Sequence, residues 1–454
     1  MTFNFAQLQA QLDTLRAAHH VPGAQLAVLA DGNLHELASG VLHRGTGVEV
    51  TSDSLFQVGS ITKIHTATLI MQLVASGTLD LDARVQDVLP EFATTDEEAT
   101  RTITIRKLLS HTSGLASDFT YDTGRGDDCL ARYVEAIRHV TLDCPPGMFS
   151  YCSTGYNVLG RIIEVLTGQT WDAALKERLC VPLGLEHTVT LPEDVLRFRV
   201  AMGHLGEPGK DPVPAPVWNP LPRSSGPYGG VLCATATDLV SLARMHLDEG
   251  RAPNGSRVLD ASAITMMQRR EVNVPDKWTF NSDAWGLGWA LYEWNGVTGF
   301  GHDGATIGQY SYLCVVPQAG VILVLLTNGG NAHQFYAQLF GELLDELAGV
   351  RMRPAFGPAP QPPVVDIASF IGTYKREGVV TTFTEREGKL HLVYEFVDGM
   401  KDFSPPIELD LTAVSEKVFA VPGIGGSSGG WMPVVFSTLT DGTGCVYIGM
   451  RAAP

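Results

Sequence analysis

The stretch RMRPAFGPAPQPPVVD, Arg351 to Asp366, carries five prolines, each of which fixes φ and removes a backbone donor. No helix or strand ladder runs through such a segment, so it divides the 454-residue chain into residues 1–350 and 367–454, joined by a stiff linker at 351–366. Before it, helical and strand periodicities alternate. After it, VVTTFTE, KLHLVYEF, VFAVPG and GCVYIGM set β-forming residues between turn residues, with no helical pattern. The expectation is a mixed α/β domain followed by a small antiparallel barrel. Two cores suit this length, since one core seldom organises more than about 300 residues.

In the first domain, GAQLAVLADGNLHELASGV reads as a hairpin turning at Asp31-Gly32-Asn33. The segment ITKIHTATLIMQLVASG spaces its apolar residues by three and four and closes on Gly77, a helix with a glycine cap. FGHDGATIGQYSYLCVVP and GVILVLLTNGG read as a second hairpin, followed by a helix in NAHQFYAQLFGELLDELAGV. Strands at both ends of this region predict one sheet built from both termini.

Charge narrows the partners. With 49 acidic against 32 basic residues, a net charge of −17, and no Lys/Arg block, no surface is set up for nucleic acid or a membrane. The longest apolar run, GVILVLLTN from Gly320, is too short to span a bilayer. The N-terminal MTFNFAQLQAQLDTLRAAHH lacks the basic and apolar regions of a secretory signal and reads as an amphipathic helix. Seven scattered cysteines, with no Cys-x-x-Cys, are expected to be reduced thiols of a cytoplasmic protein. No metal-ligand spacing and no nucleotide-binding glycine pattern occurs, so no metal and no cofactor is expected.

Three short segments carry chemistry. Ser60 opens the helix after LFQVG and Lys63 follows one turn later on the same face, which sets a hydroxyl beside an amine. A serine needs such a proton acceptor to act as a nucleophile, and a lysine accepts only when burial and nearby positive potential lower its pKa. By itself Ser-x-x-Lys recurs by chance in a chain this long, and a capping serine with a solvated lysine would look the same. Tyr151 and Ser153, in FSYCSTGYNVLG, stand two apart before another amphipathic helix, so an extended backbone would point both hydroxyls one way and Cys152 the other. A half-buried core tyrosine has the same appearance. His302 and Gly304 lie in FGHDGA at the start of a strand, where glycine admits a close ligand and an edge could pair with a peptide. A histidine satisfied at a strand end is the plain alternative.

Taken together and in this order, with HTSGL around His111 to Gly114 between the first two segments and GPYGGVLCATATDL between the last two, the pattern resembles the class C β-lactamase and penicillin-binding-protein-like serine hydrolases over roughly residues 10 to 347. The resemblance implies an antiparallel sheet flanked by helices, an all-helical subdomain, and an acyl-enzyme mechanism. In it Ser60 is the nucleophile, Lys63 and Tyr151 handle the proton, and the backbone N–H groups of Ser60 and Ala305 form an oxyanion hole. It further implies that Ser153, His302, Gly304 and Gly230 bind substrate. Two departures stand out: Ser153 replaces the usual asparagine, with one donor where an amide has two, and His302 replaces the lysine of β-lactamases.

At finer grain the stretch YDTGRGDDCLARYV, the motif spacing and the proline-linked tail are similar to penicillin-binding-protein-type thioesterases, which release nonribosomal peptides by head-to-tail cyclisation. That likeness implies a lipocalin-like tail over the site, Arg451 as a substrate-binding residue, and a peptide or peptidyl-thioester substrate, with a peptidyl carrier protein as a further partner. Two other readings stay open: a D-peptidase, amidase or esterase acting on small molecules, and a non-catalytic peptide-binding module. Thr235 and Asp238 read simply as a capping box, and Asp127 and Asp128 as a solvated pair.

Overall fold

A computed structural model describes residues 5–206, 210–401, 404–424 and 429–454. Its centre is an eight-stranded sheet whose order runs Asn33–Gly40, Gly23–Ala30, Val321–Thr327, Gln309–Val316, Val297–Thr306, Ala290–Trp294, Ala284–Trp285, Val272–Asn273. The strand Gly23–Ala30 is buried along its whole length because it lies between its hairpin partner and Val321–Thr327, with Ala24 opposite Thr327. Strands from near the start of the chain and from just before the helix Ala332–Ala348 therefore meet in one sheet, as the sequence implies. The first hairpin turns at Asp31 and Gly32, both at positive φ, the geometry that fits strand twist.

The second expected hairpin is a three-stranded meander instead. Ile307 and Gly308, the latter at φ 68°, break FGHDGATIGQYSYLCVVP into Val297–Thr306 and Gln309–Val316. A left-handed glycine in mid-run decides this, because it permits a two-residue turn. The strand Val297–Thr306 pairs with Ala290–Trp294 only as far as Gly301. Residues 302–306 consequently present a sheet edge on that side.

Helices cover both faces. Leu8, Leu12 and Leu15 of Phe5–Ala18 are buried with Phe335, Leu339 and Leu343 of Ala332–Ala348 in one apolar cluster. On the other face Thr62–Ala75 packs into the larger cluster, and its end is a Schellman cap: Thr78 N–H donates to Leu73 O and Gly77 N–H to Val74 O, with Gly77 at φ 73°. Thr235 caps Ala236–Leu247 through the Asp238 N–H, but the reciprocal half of the capping box is missing. The Asp238 carboxylate is taken instead by the His187 N–H and the Thr188 hydroxyl.

Residues 351–366 contain no helix or strand. Beyond them, in place of the expected small antiparallel barrel, the described residues form no closed barrel. The tail is two antiparallel sheets, one of four strands from Gly372 to Asp410 and one of five from Thr412 to Ala453, sharing the apolar core of Phe383, Leu392, Phe419, Val434, Phe436 and Val446. A single residue, Leu411, joins them and donates its N–H to Leu390 O, and at the far side Lys375 N–H donates to Pro454 O. These contacts bring the sheet edges together without a continuous ladder.

Candidate active site

Ser60 sits in a one-turn 3-10 helix, Gly59–Ile61, that leads into Thr62–Ala75. The chain ahead of it is held by pairing of Phe56–Gln57 with Cys233–Ala234, by the Gln57 N–H donating to the Gln309 side chain at 3.0 Å, and by the Ser311 hydroxyl donating to Val58 O at 2.7 Å. Three glycines let other backbones close around it. Gly59 is at φ 51°, and a Cβ there would stand 2.6 Å from Ala305 N; a Cβ on Gly304 or on Gly229 would stand 2.9 Å from Ser60 N. Gly59 is thus packed against the Ala305 backbone and Gly304 against the Ser60 nitrogen, Ser60 and Ala305 being the two residues expected to form an oxyanion hole. Gly230 lies one residue further from Ser60, fixed by its N–H to Ser225 O and by the Asn219 amide donating to its carbonyl at 2.6 Å.

Lys63 is completely buried, and its Nζ lies 3.1 Å from Ser60 Oγ and 3.1 Å from Tyr228 O. The rings of Tyr151, Tyr156 and Tyr228 surround the same nitrogen, with centres 4.8, 5.6 and 5.3 Å away. Burial, followed by the Arg451 guanidinium, brings the ammonium pKa down to about 7, against an opposing pull from Asp118. Near neutrality a large share of Lys63 is therefore an amine able to take the Ser60 proton.

Tyr151 is also buried, and its hydroxyl interacts with Ser60 without a well-aligned hydrogen bond. Burial pushes the phenol above its ordinary range, and Ser60 offsets this only in part, so Tyr151 is a neutral acid at physiological pH. Its backbone is fixed from two sides. His111, itself at φ 58°, accepts the Cys152 N–H on Nδ1 at 3.0 Å, accepts the Ser150 N–H on its carbonyl, and lies tilted against the Tyr151 ring with centres 4.4 Å apart. From the tail, Met450 O accepts the Tyr151 N–H at 3.0 Å. Cys152 turns into the core toward Leu115 O and Ala116 O, as alternation implies. Ser153 is buried and ends the extended segment, its N–H on Ser117 O, just before Thr154–Thr167.

His302 is fully buried against Tyr151, Phe280 and Trp285. Its Nδ1 lies 2.6 Å from Asp303 O, which can only accept, so Nδ1 carries the hydrogen. Burial, assisted by Lys63, lowers its pKa to about 3, and the ring is neutral. The bare Nε2 has no partner and offers an acceptor; it suits a substrate N–H or O–H and not a carboxylate.

Arg451, far away in sequence, arrives at the same place. Its guanidinium carbon is 5.2 Å from the centre of the Tyr151 ring, its NH1 donates to Gly449 O, and it pairs with Asp118 through both Nε and NH2. The structure thus gathers Ser60, Lys63, Tyr151, His302, Gly304, Ala305 and Arg451. Asp118, Tyr228, Phe280 and Trp285 belong to the same surroundings and were given no role from sequence; Tyr228 lies within the GPYGGVLCATATDL stretch and Asp118 four residues after Gly114 of HTSGL, whereas Phe280 and Trp285 had no signal. Asp127 and Asp128 are paired, with Arg223 at 2.9 Å and Arg132 at 2.7 Å respectively.

The Beta-lactamase family matches residues 8–347. A curated relative from Amycolatopsis lactamdurans, "Penicillin-binding protein 4", is 62% identical over 379 residues, covering 83% of this chain and 99% of that protein. Among solved structures, SurE with D-Leu is 29% identical with a TM-score of 0.76, covering 99% of this chain and 98% of its own. D-amino acid amidase from Ochrobactrum anthropi, complexed with D-phenylalanine, is 25% identical with a TM-score of 0.59, covering 72% of this chain and 92% of its own.

Proposed function

The chain belongs to the Beta-lactamase family of serine hydrolases, and from that premise we propose that it is a serine acyltransferase that takes a peptidyl thioester onto Ser60 and releases the peptide by head-to-tail macrocyclisation. The observation that carries the acyl-transfer part is the 3.1 Å contact between Lys63 Nζ and Ser60 Oγ inside a buried, cation-lowering pocket. In the acylation step the Ser60 proton passes to neutral Lys63, the Oγ–C bond forms, and the C–S bond breaks. Tyr151, a neutral acid at the same spot, supplies the proton to the departing thiolate and is reprotonated by Lys63. In the second step the peptide's own amine attacks the ester, its proton is removed through Lys63, and Ser60 recovers its hydrogen as the Oγ–C bond breaks. The Ser60 and Ala305 N–H groups are the donors proposed to hold both oxyanions.

Cyclisation rather than hydrolysis is favoured by the tail, because Met450 and Arg451 lie directly on Tyr151 and restrict water there. In this reading residues 1–350 are the catalytic domain, 351–366 the linker and 367–454 a domain that completes the site. A cleft of about 490 Å³ lined by Asp122, Trp218, Asn219 and Arg223 adjoins the Gly230 segment through Asn219, although Ser60, Lys63 and Tyr151 do not line it. Ser153, His302, Gly304, Gly230 and Arg451 are assigned to substrate. The structure of SurE with D-Leu supports a D-residue at the acyl end; the amidase, solved with both D- and L-phenylalanine, does not discriminate. All seven cysteines are unpaired and buried, in keeping with a reducing, cytoplasmic setting where a carrier protein could deliver the thioester. No helix among the described residues is long and apolar enough to cross a membrane.

A second reading, a hydrolase of small D-amino acid amides, is supported by the amidase likeness. Mass spectrometry separates the two after incubation with a linear peptide thioester ending in a D-residue. A product lighter than the free acid by one water supports cyclisation, free acid alone supports hydrolysis, and fluorophosphonate labelling that survives Ser60→Ala overturns the serine mechanism.

A further inference from the structure

The tail reaches the site through a strained turn. The strands Gly444–Ile448 and Arg451–Ala453 are joined by Gly449 and Met450, both at positive φ, and Met450 is buried. A methionine held in the left-handed region is unfavourable unless its surroundings impose it. Here the Tyr151 N–H on Met450 O does so from the first domain, with the Tyr447 hydroxyl on Phe149 O and the Ala452 N–H on Ser150 Oγ on either side. These contacts fix the backbone of the turn. They leave open where the long Arg451 side chain goes.

One carboxylate settles that. Asp118, on the loop after HTSGL, receives Arg451 Nε and NH2 and also faces Arg376 NH1 at 3.5 Å, so two guanidiniums from two separate tail strands converge on it. Burial alone would raise the Asp118 pKa; the two arginines outweigh that and keep it ionised. Arg376 is held independently by donating to the Tyr394 hydroxyl at 3.0 Å. Besides Asp118, Arg451 donates to its own Gly449 carbonyl and lies over the Tyr151 ring.

We propose that Asp118 is the positioning residue of the site: by anchoring Arg451 over Tyr151 it sets the placement of the second cation beside the Ser60–Lys63–Tyr151 group and thereby controls acyl transfer. This rests on the serine acyl-transfer reading above. Asp118 touches no reacting atom; it acts through Arg451. The groups that face Lys63 are Ser60, the carbonyl and ring of Tyr228, the rings of Tyr151 and Tyr156, Cys152, the neutral imidazoles of His111 and His302, Arg451, and Asp118 behind it. Among them Arg451 lowers the Lys63 pKa more than Asp118 raises it. The two ways in which Asp118 can matter therefore have opposite signs.

The test is a double-mutant cycle of Asp118→Asn and Arg451→Gln in the full chain, with turnover of a peptide thioester as a function of pH and fluorophosphonate labelling of Ser60. Asp118→Asn preserves shape, and a melting curve reports whether it folds; Asp118→Glu, which keeps the charge, serves as the rescue. Expected is a loss of about tenfold to a hundredfold in kcat/KM for each single variant, a double variant no worse than the poorer single one, partial recovery in Asp118→Glu, and an acidic limb that moves to higher pH in Asp118→Asn because Arg451 leaves. Penalties that multiply in the double variant, or a limb that moves to lower pH because Arg451 stays while the carboxylate charge is lost, would overturn the positioning role. Labelling that survives Ser60→Ala bears on the serine reading alone and leaves the cycle interpretable.

Discussion

The guanidinium carbon of Arg451 stands 5.2 Å from the centre of the Tyr151 ring, so the chain's last strand and its second motif share one site. Lys63 Nζ lies over the same ring, 4.8 Å from its centre. A lysine between an aromatic cage and a guanidinium is the arrangement that turns an ammonium into a base, since burial disfavours its charge and the neighbouring cation disfavours it further.

The first prediction concerns pH. In the proposed mechanism Lys63 must be neutral to accept the Ser60 proton, and with its pKa brought down to about 7, kcat/KM is expected to rise as pH passes upward through that value. Arg451→Gln removes the cation that helps lower it, so the limb shifts upward and the variant loses more activity below pH 7 than above. A pH–rate profile of both proteins checks this, and an unmoved limb would mean that Arg451 does not act on Lys63.

A second prediction tests the backbone crowding around Ser60. A Cβ on Gly304 would stand 2.5 Å from Ser311 Oγ and 2.9 Å from Ser60 N, and would overlap the Val58 carbonyl oxygen. Val58 precedes the turn that presents Ser60, so relief of the clash displaces the Ser60 hydroxyl, the proposed nucleophile. Gly304→Ala is expected to lose about a hundredfold in kcat and about 1–3 kcal/mol of stability. Kinetics with a calorimetric melt would show both; a fully active variant would place the strand further from Ser60 than described.

How much of this was legible in the sequence differs by kind of contact. Ser60 and Lys63 were readable because a helix turns local spacing into a shared face, and Tyr151, His302 and Gly304 because they recur in order with that pair. The break at Ile307-Gly308 was passed over because an apolar run with one glycine reads equally as one strand or two. The half-made capping box failed because Asp238 meets better donors in His187 and Thr188, from a loop that local rules do not see. Asp118 and Arg451 lie 333 residues apart, and nothing periodic joins them. Phe280 and Trp285, which wall His302, sit in and beside a loop whose course is set by Asp276 accepting the Trp278 and Thr279 N–H groups.

A third prediction addresses how firmly the tail is seated. Tyr447 donates its hydroxyl to Phe149 O at 2.9 Å in a buried setting, two residues before Tyr151. Tyr447→Phe leaves that carbonyl without a partner at almost unchanged volume, at a cost of about 1–2 kcal/mol. Turnover should fall together with stability, because the same segment carries Tyr151. Stability that falls while turnover holds would show the tail to be a passive cover.

The last prediction uses a carboxylate under the tail. Asp143 is buried and accepts the Ser117 N–H at 2.7 Å, the Ser117 hydroxyl, and the Glu377 N–H from the tail at 3.3 Å. Burial outweighs these donors and Arg376, and raises its pKa from 3.8 to about 6. For an acid whose folded pKa is raised, the folded state holds the proton more tightly than the unfolded chain. Its contribution to stability is therefore greatest below the unfolded value, declines as pH climbs from 3.8 to about 6, and is lost above that, on the order of 3 kcal/mol across the window. Asp143→Asn cannot ionise, so its stability relative to the parent should improve with rising pH over that interval and stay level beyond it. Denaturant titrations of both proteins from pH 4 to 8 give the difference directly, and a difference that does not change with pH would mean that the buried pair of Asp143 and Ser117 titrates no differently when folded.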